Sequence, residues 1–278
     1  MKLSIITVNY NDAPGLMRTF QSIKCQSCQD FEYIVVDGGS SDDSLSVIQV
    51  ADCKISKWVS EPDEGIYNAM NKGVRMCTGD YCIFMNAGDT FHDGEVIRQV
   101  YDLLGKYDLY VGATTVVEAG KSEMFQAPFP MSVEHLLRTS IFHQSTFIRT
   151  SLLRKCPYRE DLKVVSDWAF FFMQWLEGAT YMPLPFCVSD YYLGGFSYQH
   201  RDIIDQERKQ VIDEFFGMRS RDPLFKYIFE GGSLTTINES YEQNRIRKTM
   251  LKPTLQRDLN LIRYGFKFLF KDLINKKW

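Results

Sequence analysis

Oxygen-bearing side chains follow several strand-like runs of this sequence, at positions where a ligand could be held directly or through a metal ion. They are asparagines and aspartates, at Asn9, Asn11, Asp37, Asp42, Asp43, Asp63, Asn71, Asn86 and Asp89. No glycine-rich phosphate loop of the Walker or dinucleotide-binding type accompanies them. A nucleotide diphosphate bound here would need another neutralising group, and a divalent cation held by carboxylate oxygens is the natural one.

The elements that must position these residues alternate between strand and helix. Apolar runs predict buried strands at Leu3–Val8, Phe31–Val36, Ile55–Val59 and Tyr81–Met85, and helical spacing predicts helices at Leu16–Ile23, Ser44–Val50 and Ile66–Met76. This alternation predicts an α/β fold with a mostly parallel central sheet flanked by helices. Ligands of such sheets bind beyond the carboxyl ends of the strands. The loops after Val8, Val36 and Met85 are therefore expected to line one crevice.

The second half of the chain is less regular. The patterns predict strands within Tyr107–Val117, a short helix at Met131–Leu137 and a polar then strand-like segment from Phe142 to Ile148. An apolar helix is predicted from Trp168 to Leu176, with Ser166 or Asp167 as its N-cap, and an amphipathic helix from Asp202 to Phe216.

Composition narrows the class of protein. The 278 residues suffice for one large domain or one domain with an appendage, and the formal net charge of −3 argues against a generic nucleic-acid binder. The chain opens on a strand-like run instead of a secretory signal, and its 7 scattered cysteines suggest reduced thiols in a cytoplasmic protein. Cys25 and Cys28 have the spacing of a redox or zinc motif but lack a second pair, so we interpret the spacing as incidental.

Four motifs in order give the chain a family resemblance. They read SIITVNYN at residues 4–11, VVDGGSSD at 35–42, SEPDEGIYNAMNKG at 60–73 and TGDYCIFMNAGD at 78–89. Together they resemble the family 2 glycosyltransferases, which have the nucleotide-diphospho-sugar transferase (GT-A) fold, and most of all the branch that builds bacterial capsule, exopolysaccharide and lipopolysaccharide. The similarity covers roughly the first third of the chain closely and resumes at His143-Gln144 and Ser166-Asp167.

The resemblance implies a role for particular residues. Thr7 and Asn9 fall where the family contacts the nucleotide. Asp37 falls where a carboxylate accepts a hydrogen bond from the base, typically uracil. Ser40 and Asp42 close the same loop. The segment from Gly65 to Gly73 falls where the family covers base and ribose, with Asn71 and Lys72 as polar contacts, and Asp63 is a candidate for orienting the sugar.

The same resemblance assigns the reacting end of the site. Residues 86–89 align with the Asp-x-Asp loop that holds the metal and the donor phosphates, and His143 is a candidate for the metal or phosphate site. Asp167 aligns with the general base of inverting members. The loop departs from the family pattern because it reads Asn-Ala-Gly-Asp, which leaves Asp89 as the charged ligand and Asn86 as a neutral one. Met70 also replaces an arginine that is common in the third motif.

These features predict an inverting glycosyltransferase that moves a hexosyl or N-acetylhexosaminyl group from a UDP-sugar to a hydroxyl of a glycan or lipid-linked acceptor, with Mg²⁺ or Mn²⁺ as cofactor. Two alternatives stay open: a sugar nucleotidyltransferase, although Thr7 to Ala13 lacks its glycine-rich loop, and a non-catalytic nucleotide or glycan-binding module. Two site residues also have structural interpretations, since Asp37 could cap the following helix and Asp167 could be an N-cap.

The expected organisation is a glycosyltransferase domain at residues 1–220, with a nucleotide-binding half at about 1–115 and an acceptor half at about 116–220. A helical, basic extension is expected at 221–278. In that extension Leu259, Ile262, Phe266, Leu269 and Leu273 recur at helical spacing among lysines and arginines. This pattern is typical of a helix in a membrane interface. It suggests a cytoplasmic protein in peripheral contact with the inner face of the plasma membrane.

Overall fold

The described part of the chain, residues 2–195 and 200–216 of a computed structural model, forms one large sheet covered by helices on both faces. Its strands are β1 (Leu3–Asn9), β2 (Glu32–Asp37), β3 (Lys57–Ser60), β4 (Tyr81–Phe84), β5 (Thr90–Phe91), β6 (Leu109–Glu118), β7 (Lys121–Phe125), β8 (Thr146–Arg149) and β9 (Tyr181–Tyr192). Its helices are α1 (Ala13–Lys24), α2 (Ser44–Gln49), α3 (Ile66–Met76), α4 (Val96–Tyr101), α5 (Val133–Arg138), α6 (Thr150–Lys155), α7 (Ser166–Glu177) and α8 (Arg201–Phe216).

The sheet has nine strands in the order β3-β2-β1-β4-β8-β6-β9-β5, with β7 paired to β6. Strands β3, β2, β1 and β4 are parallel, as the sequence predicts. The other half is mixed, because β8 runs antiparallel to both β4 and β6 while β9 runs parallel to β6. The α/β prediction is confirmed, and the parallel arrangement belongs to the half that carries the four motifs.

Strand β1 is buried on both faces, which explains why its sequence is mostly apolar. Alternate side chains of a strand point to opposite faces, so Ile6 and Val8 pack in one core while Leu3 and Ile5 pack in the other. The first core lies under α3, α6 and α7, and the second under α1 and α4. Gly73 allows α3 to lie close to β1, because a Cβ there would come within 2.4 Å of Ile6 Cγ2.

The three loops predicted to share a crevice do lie together. Strand β1 lies between β2 and β4, and all three run in the same direction, so their carboxyl ends meet at one edge. The loops after β1 and β2 are also joined directly: Asn11 N–H donates to Ser40 Oγ at 2.8 Å, and Ala13 N–H donates to Asp42 Oδ2 at 2.9 Å.

No helix in the described ranges is long and apolar enough to cross a membrane. The expected extension at 221–278, with its amphipathic pattern, lies outside the described residues. The boundary between domain and extension therefore stays a prediction from sequence.

Candidate active site

The loops after β1, β2 and β3 form the first part of the candidate site. Asp37 is fully buried and accepts four hydrogen bonds: from Asn9 Nδ2 at 2.8 Å, Ser40 Oγ at 2.6 Å, Ser40 N–H at 3.0 Å and Ser60 Oγ at 2.7 Å. Burial alone would raise the pKa of Asp37, but these donors lower it. A carboxylate has about four lone-pair positions, so a contact with a base would require one donor to move.

Two further predicted nucleotide contacts are held inside the fold, as Asn9 and Asp37 are. Thr7 is fully buried, and its hydroxyl donates to Met85 O at 2.7 Å. Asn71 is buried as well, and its amide binds the backbone of Tyr158 and the carboxylate of Glu160, at 2.8–3.0 Å. Both residues shape the site in this structure without facing the crevice.

The residues around Gly38 are more open to a ligand. Asp63 Oδ2 and Tyr10 Cδ2 lie 2.8 and 3.2 Å from the position a Cβ on Gly38 would take, so a larger residue there would displace both side chains. Tyr10 is 68% exposed, so much of its side chain is open to a ligand. Lys72 binds Asp63 at 2.6 Å and Glu61 at 2.9 Å, and Gly65 precedes α3 with a φ of 125°. Tyr10 is a candidate site residue that the sequence did not predict, although it stands inside the first motif.

The second part of the site is a hydrogen-bonded chain that we call the relay, made of Asn86, His143, Asp167 and Tyr67. Asn86 Nδ2 lies 3.1 Å from His143 Nε2, His143 Nδ1 donates to Asp167 Oδ2 at 2.8 Å, and Tyr67 O–H lies 3.0 Å from Asp167 Oδ1. The relay therefore joins the loop after β4 to the start of α7, two segments that lie far apart in the sequence.

Fixed elements hold the two central members of the relay. His143 starts a 3-10 turn, His143–Ser145, which is anchored because Ser145 Oγ bonds Thr114, Ser189 and the carbonyl of Ala113 at 2.6–2.9 Å. Asp167 lies in the first turn of α7 and accepts from Trp168 N–H at 2.8 Å.

The helix-cap alternatives are wrong. The residue before α7 is Val165, which makes no side-chain cap, so neither Ser166 nor Asp167 is the N-cap. Asp43 precedes α2, so Asp37 does not cap that helix.

The charges of the relay depend on one another. Burial alone would raise the pKa of Asp167, but hydrogen bonds from His143, Trp168 N–H and Tyr67 lower it. Burial alone would lower the pKa of His143, but Asp167 and then Asp89 raise it. Asp167 is therefore ionised at neutral pH, as a base must be, although a low pKa makes it a weak one.

The loop after β4 carries two oxygen groups of the kind that bind a divalent cation. Asp89 is only 7% exposed, and burial raises its pKa to about 7 despite the attraction of His143. Asn86 Oδ1 is buried without a hydrogen-bond partner among the described residues. A buried carboxylate and an unpartnered amide oxygen are both ligands that Mg²⁺ or Mn²⁺ accepts, and a cation beside Asp89 would favour its ionised form.

Comparison with known proteins places the chain in a family. The sequence model of "Glycosyl transferase family 2" matches residues 4–175. An uncharacterised glycosyltransferase of Mycobacterium tuberculosis is 32% identical over 183 residues, which cover 60% of this chain and 66% of that protein. A PGL/p-HBAD biosynthesis glycosyltransferase of Mycobacterium bovis is 31% identical over 175 residues, covering 60% and 67%. The match thus spans just under two thirds of the length of the first of these relatives.

Solved structures show the same fold at low sequence identity. Staphylococcus aureus TarS 1–349, in complex with UDP-GlcNAc, superposes with a TM-score of 0.62 at 16% identity, covering 84% of this chain and 77% of the other. The mannosyltransferase PcManGT from Pyrobaculum calidifontis, in complex with GDP-Man and Mn²⁺, gives 0.58 at 18% identity, covering 99% and 88%. The family match covers residues 4–175 and the structure superposes on these solved structures, so this chain belongs to glycosyltransferase family 2 and has the GT-A fold.

Proposed function

We propose that the chain transfers a sugar from a UDP-sugar to a hydroxyl of a glycan or lipid-linked acceptor, with inversion at the anomeric carbon, in the synthesis of a cell-surface polysaccharide. The observation that carries this proposal is the relay, because it ties Asn86, on the loop suited to a cation and a diphosphate, to Asp167, the carboxylate suited to a base. The similar TarS structure holds UDP-GlcNAc, which supports a UDP-sugar as donor. The PcManGT structure holds GDP-Man instead.

In this mechanism Tyr10 and Asp63 contact the nucleotide beside Gly38, and Lys72 keeps Asp63 in place. Asp89 and Asn86 Oδ1 would hold the divalent cation, which when bound stabilises negative charge on the departing diphosphate. Asp167 accepts the proton of the acceptor hydroxyl while that oxygen attacks the anomeric carbon from the face opposite the diphosphate. His143 keeps the Asp167 carboxylate oriented through its Nδ1–H.

The lowered pKa of Asp167 affects how much proton removal contributes to lowering the activation barrier. A weak base contributes less than a base whose pKa lies near 7. Stabilisation of the departing diphosphate is then the second contribution to the rate. Buried Asp89, close enough to His143 for the two charges to interact, lies where that departure would be assisted.

The test is nucleotide release across a panel of UDP-sugars and GDP-mannose, with and without Mn²⁺, on the parent, Asp167→Asn and the control Asp161→Asn. Asp161 is an exposed carboxylate on the approach to α7, paired with Arg159. We expect Mn²⁺-dependent release from one donor, a loss of about 10²-fold or more in Asp167→Asn and near-parent activity in the control.

Each alternative gives a different outcome. Product NMR showing a retained anomeric configuration would contradict the single displacement. Binding of UDP without turnover, when a lipid-linked acceptor is supplied, would indicate a binding module. Release of pyrophosphate from UTP and a sugar phosphate would indicate a nucleotidyltransferase.

A further inference from the structure

Three side chains that the transfer mechanism does not use meet at the β5 edge of the sheet. His92 directly follows β5, while Cys187 and Asp190 lie on β9, which pairs with β5 at Thr90–Asp190 and Phe91–Ser189. The ligand atoms of the three residues all lie within 4.8 Å of one another. Among the described residues, these three side chains form a cluster whose spacing could hold a metal ion.

The spacing is close to that of a tetrahedral metal site. His92 Nδ1 and Asp190 Oδ1 lie 2.7 Å apart, whereas two ligands at about 2.0–2.1 Å from a tetrahedral Zn²⁺ are separated by about 3.3 Å. An ion would replace the proton now shared between these atoms and would move them apart by about 0.6 Å. Cys187 is 8% exposed, and His92 and Asp190 are partly open to solvent, so an ion can enter from outside.

We propose that His92, Cys187 and Asp190 bind a Zn²⁺ ion, with a water molecule as the fourth ligand. One thiolate, one imidazole and one carboxylate form a donor set suited to Zn²⁺, whereas Mg²⁺ and Ca²⁺ prefer oxygen ligands alone. The two negative charges of Cys187 and Asp190 balance the charge of the ion. No member of this group belongs to the relay or to the loop at 86–89.

The surroundings of Cys187 suit a metal-bound thiolate. Its Sγ lies 3.3 Å from Thr115 Oγ1, a hydroxyl that can donate to a thiolate and orient it. Binding of Zn²⁺ releases the Sγ proton to solvent, and the proton on His92 Nδ1 moves to Nε2 through exchange with water. Burial and the nearby Asp190 keep the thiol protonated when no ion is present, since both raise the pKa of Cys187.

The position of the site gives the ion a structural role. Strand β5 spans only Thr90–Phe91 and directly follows Asp89. Within the described residues β5 pairs with β9. One more hydrogen bond, from His92 N–H to Val188 O at 3.0 Å, extends this pairing past the end of β5. An ion bridging His92 to Cys187 and Asp190 would clamp β5 onto β9 and so fix the end of the loop that carries Asp89.

The experiment uses Co²⁺ as a spectroscopic substitute for Zn²⁺, because a thiolate bound to Co²⁺ gives a charge-transfer absorption band. The parent is the full chain carrying Cys25→Ser and Cys28→Ser, which removes the pair with zinc-like spacing, one member exposed and the other partly buried. We expect the band to saturate at one Co²⁺ per chain and to be abolished by added Zn²⁺. Cys187→Ser should lose the band, and Cys156→Ser, a partly buried thiol elsewhere, should keep it.

Two further variants separate ligation from misfolding. His92→Gln and Asp190→Asn, each partly exposed, should keep the fold by circular dichroism and weaken Co²⁺ binding by more than about tenfold. Zn²⁺ should raise the thermal midpoint of the parent and not that of Asp190→Asn. Asp89→Asn should keep the band, which distinguishes this ion from a donor-site cation. A folded parent without a thiolate band, or a band that survives in Cys187→Ser, would overturn the proposal.

Discussion

Two buried carboxylates of the site, Asp37 and Asp167, differ in the groups that surround them. Asp37 accepts from an amide, two hydroxyls and a backbone N–H, none of which titrates near neutral pH. Asp167 accepts from the imidazole of His143 and lies beside the phenol of Tyr67. A carboxylate among fixed neutral donors organises a loop, whereas one bonded to an imidazole can take part in proton transfer. We therefore expect the pH dependence of activity to follow Asp167.

Tyr67→Phe tests that expectation at a single residue. Tyr67 O–H lies 2.6 Å from Val164 O and 3.0 Å from Asp167 Oδ1, and it lowers the pKa of Asp167. Its removal should raise that pKa, so the acid limb of kcat/KM should move to higher pH, because the carboxylate must be deprotonated to act. The measurement is the pH profile of nucleotide release.

Tyr158→Phe is the matched control for this change. Its ring lies 5.5 Å from that of Tyr67, and its buried hydroxyl has no hydrogen-bond partner among the described residues. Removing that hydroxyl should leave the acid limb in place. Equal shifts in both variants would show that general packing, and not the contact with Asp167, controls the profile.

At the scale of elements, the strands are tied together at both ends by different means. At the carboxyl ends, loop residues such as Asn11 and Ser40 bond each other around the candidate site. At the opposite end Glu32, at the start of β2, accepts from Lys57 on β3 at 2.8 Å, from Ser4 on β1 at 2.7 Å and from Thr78 N–H before β4 at 2.7 Å. This one carboxylate therefore links all four parallel strands.

Glu32→Gln should reduce stability in a pH-dependent way. Burial alone would raise the pKa of Glu32, but its three donors lower it from 4.5 to about 2. A depressed pKa means that the folded state binds the proton less readily than the unfolded state, so the stabilisation is present above about pH 4.5 and is lost as the pH falls towards 2. We expect Glu32→Gln to lose on the order of 2 kcal/mol at pH 7 by urea denaturation.

The difference between the parent and Glu32→Gln should shrink as the pH is lowered from 4.5 towards 2. Glu95→Gln is the control, since Glu95 is 53% exposed and meets Arg98 only at 3.7 Å. A penalty that stays constant with pH would assign the effect of Glu32→Gln to altered packing.

At the scale of the whole molecule, the candidate site depends on a helix outside the matched part of the family. The family match ends at residue 175, whereas α8 spans Arg201–Phe216. Glu207 of α8 is buried and accepts from the backbone N–H groups of Lys163 at 2.6 Å, Val164 at 2.9 Å and Val165 at 3.2 Å. The loop that leads into Asp167 is thus fixed by a residue some forty positions away in the chain.

Glu207→Gln should therefore lower kcat more than it raises KM for the donor. The change leaves a neutral carbonyl oxygen in place of a carboxylate, and hydrogen bonds to charged groups are the stronger ones. We expect a loss of several-fold to about tenfold in kcat, with donor binding nearly unchanged. Glu214→Gln on the same helix is the control, since Glu214 is partly exposed and is bonded at the surface by Arg159 and Gln210. A proportional loss of both parameters in step with thermal stability would indicate a purely structural effect.

The sequence determined the first half of this protein well, because its signals are local. Buried parallel strands require continuous apolar runs, and the polar loops that end them are visible as abrupt changes in composition. The strand predictions at Leu3–Val8 and Tyr81–Met85 and the helix at Ile66–Met76 therefore fall on β1, β4 and α3. The family and the fold followed from the order of four motifs that lie within the first 89 residues.

Only the tertiary structure decided which side chains meet. Sequence spacing cannot show that Thr7 and Asn71 are held inside the fold, because their partners Met85 and Tyr158 lie on other elements. The relay, the contact of Glu207 with the loop before α7 and the meeting of His92 with Cys187 and Asp190 each join segments separated by tens of residues. Such contacts depend on strand order and helix packing, which are set by how the whole sheet buries its two faces.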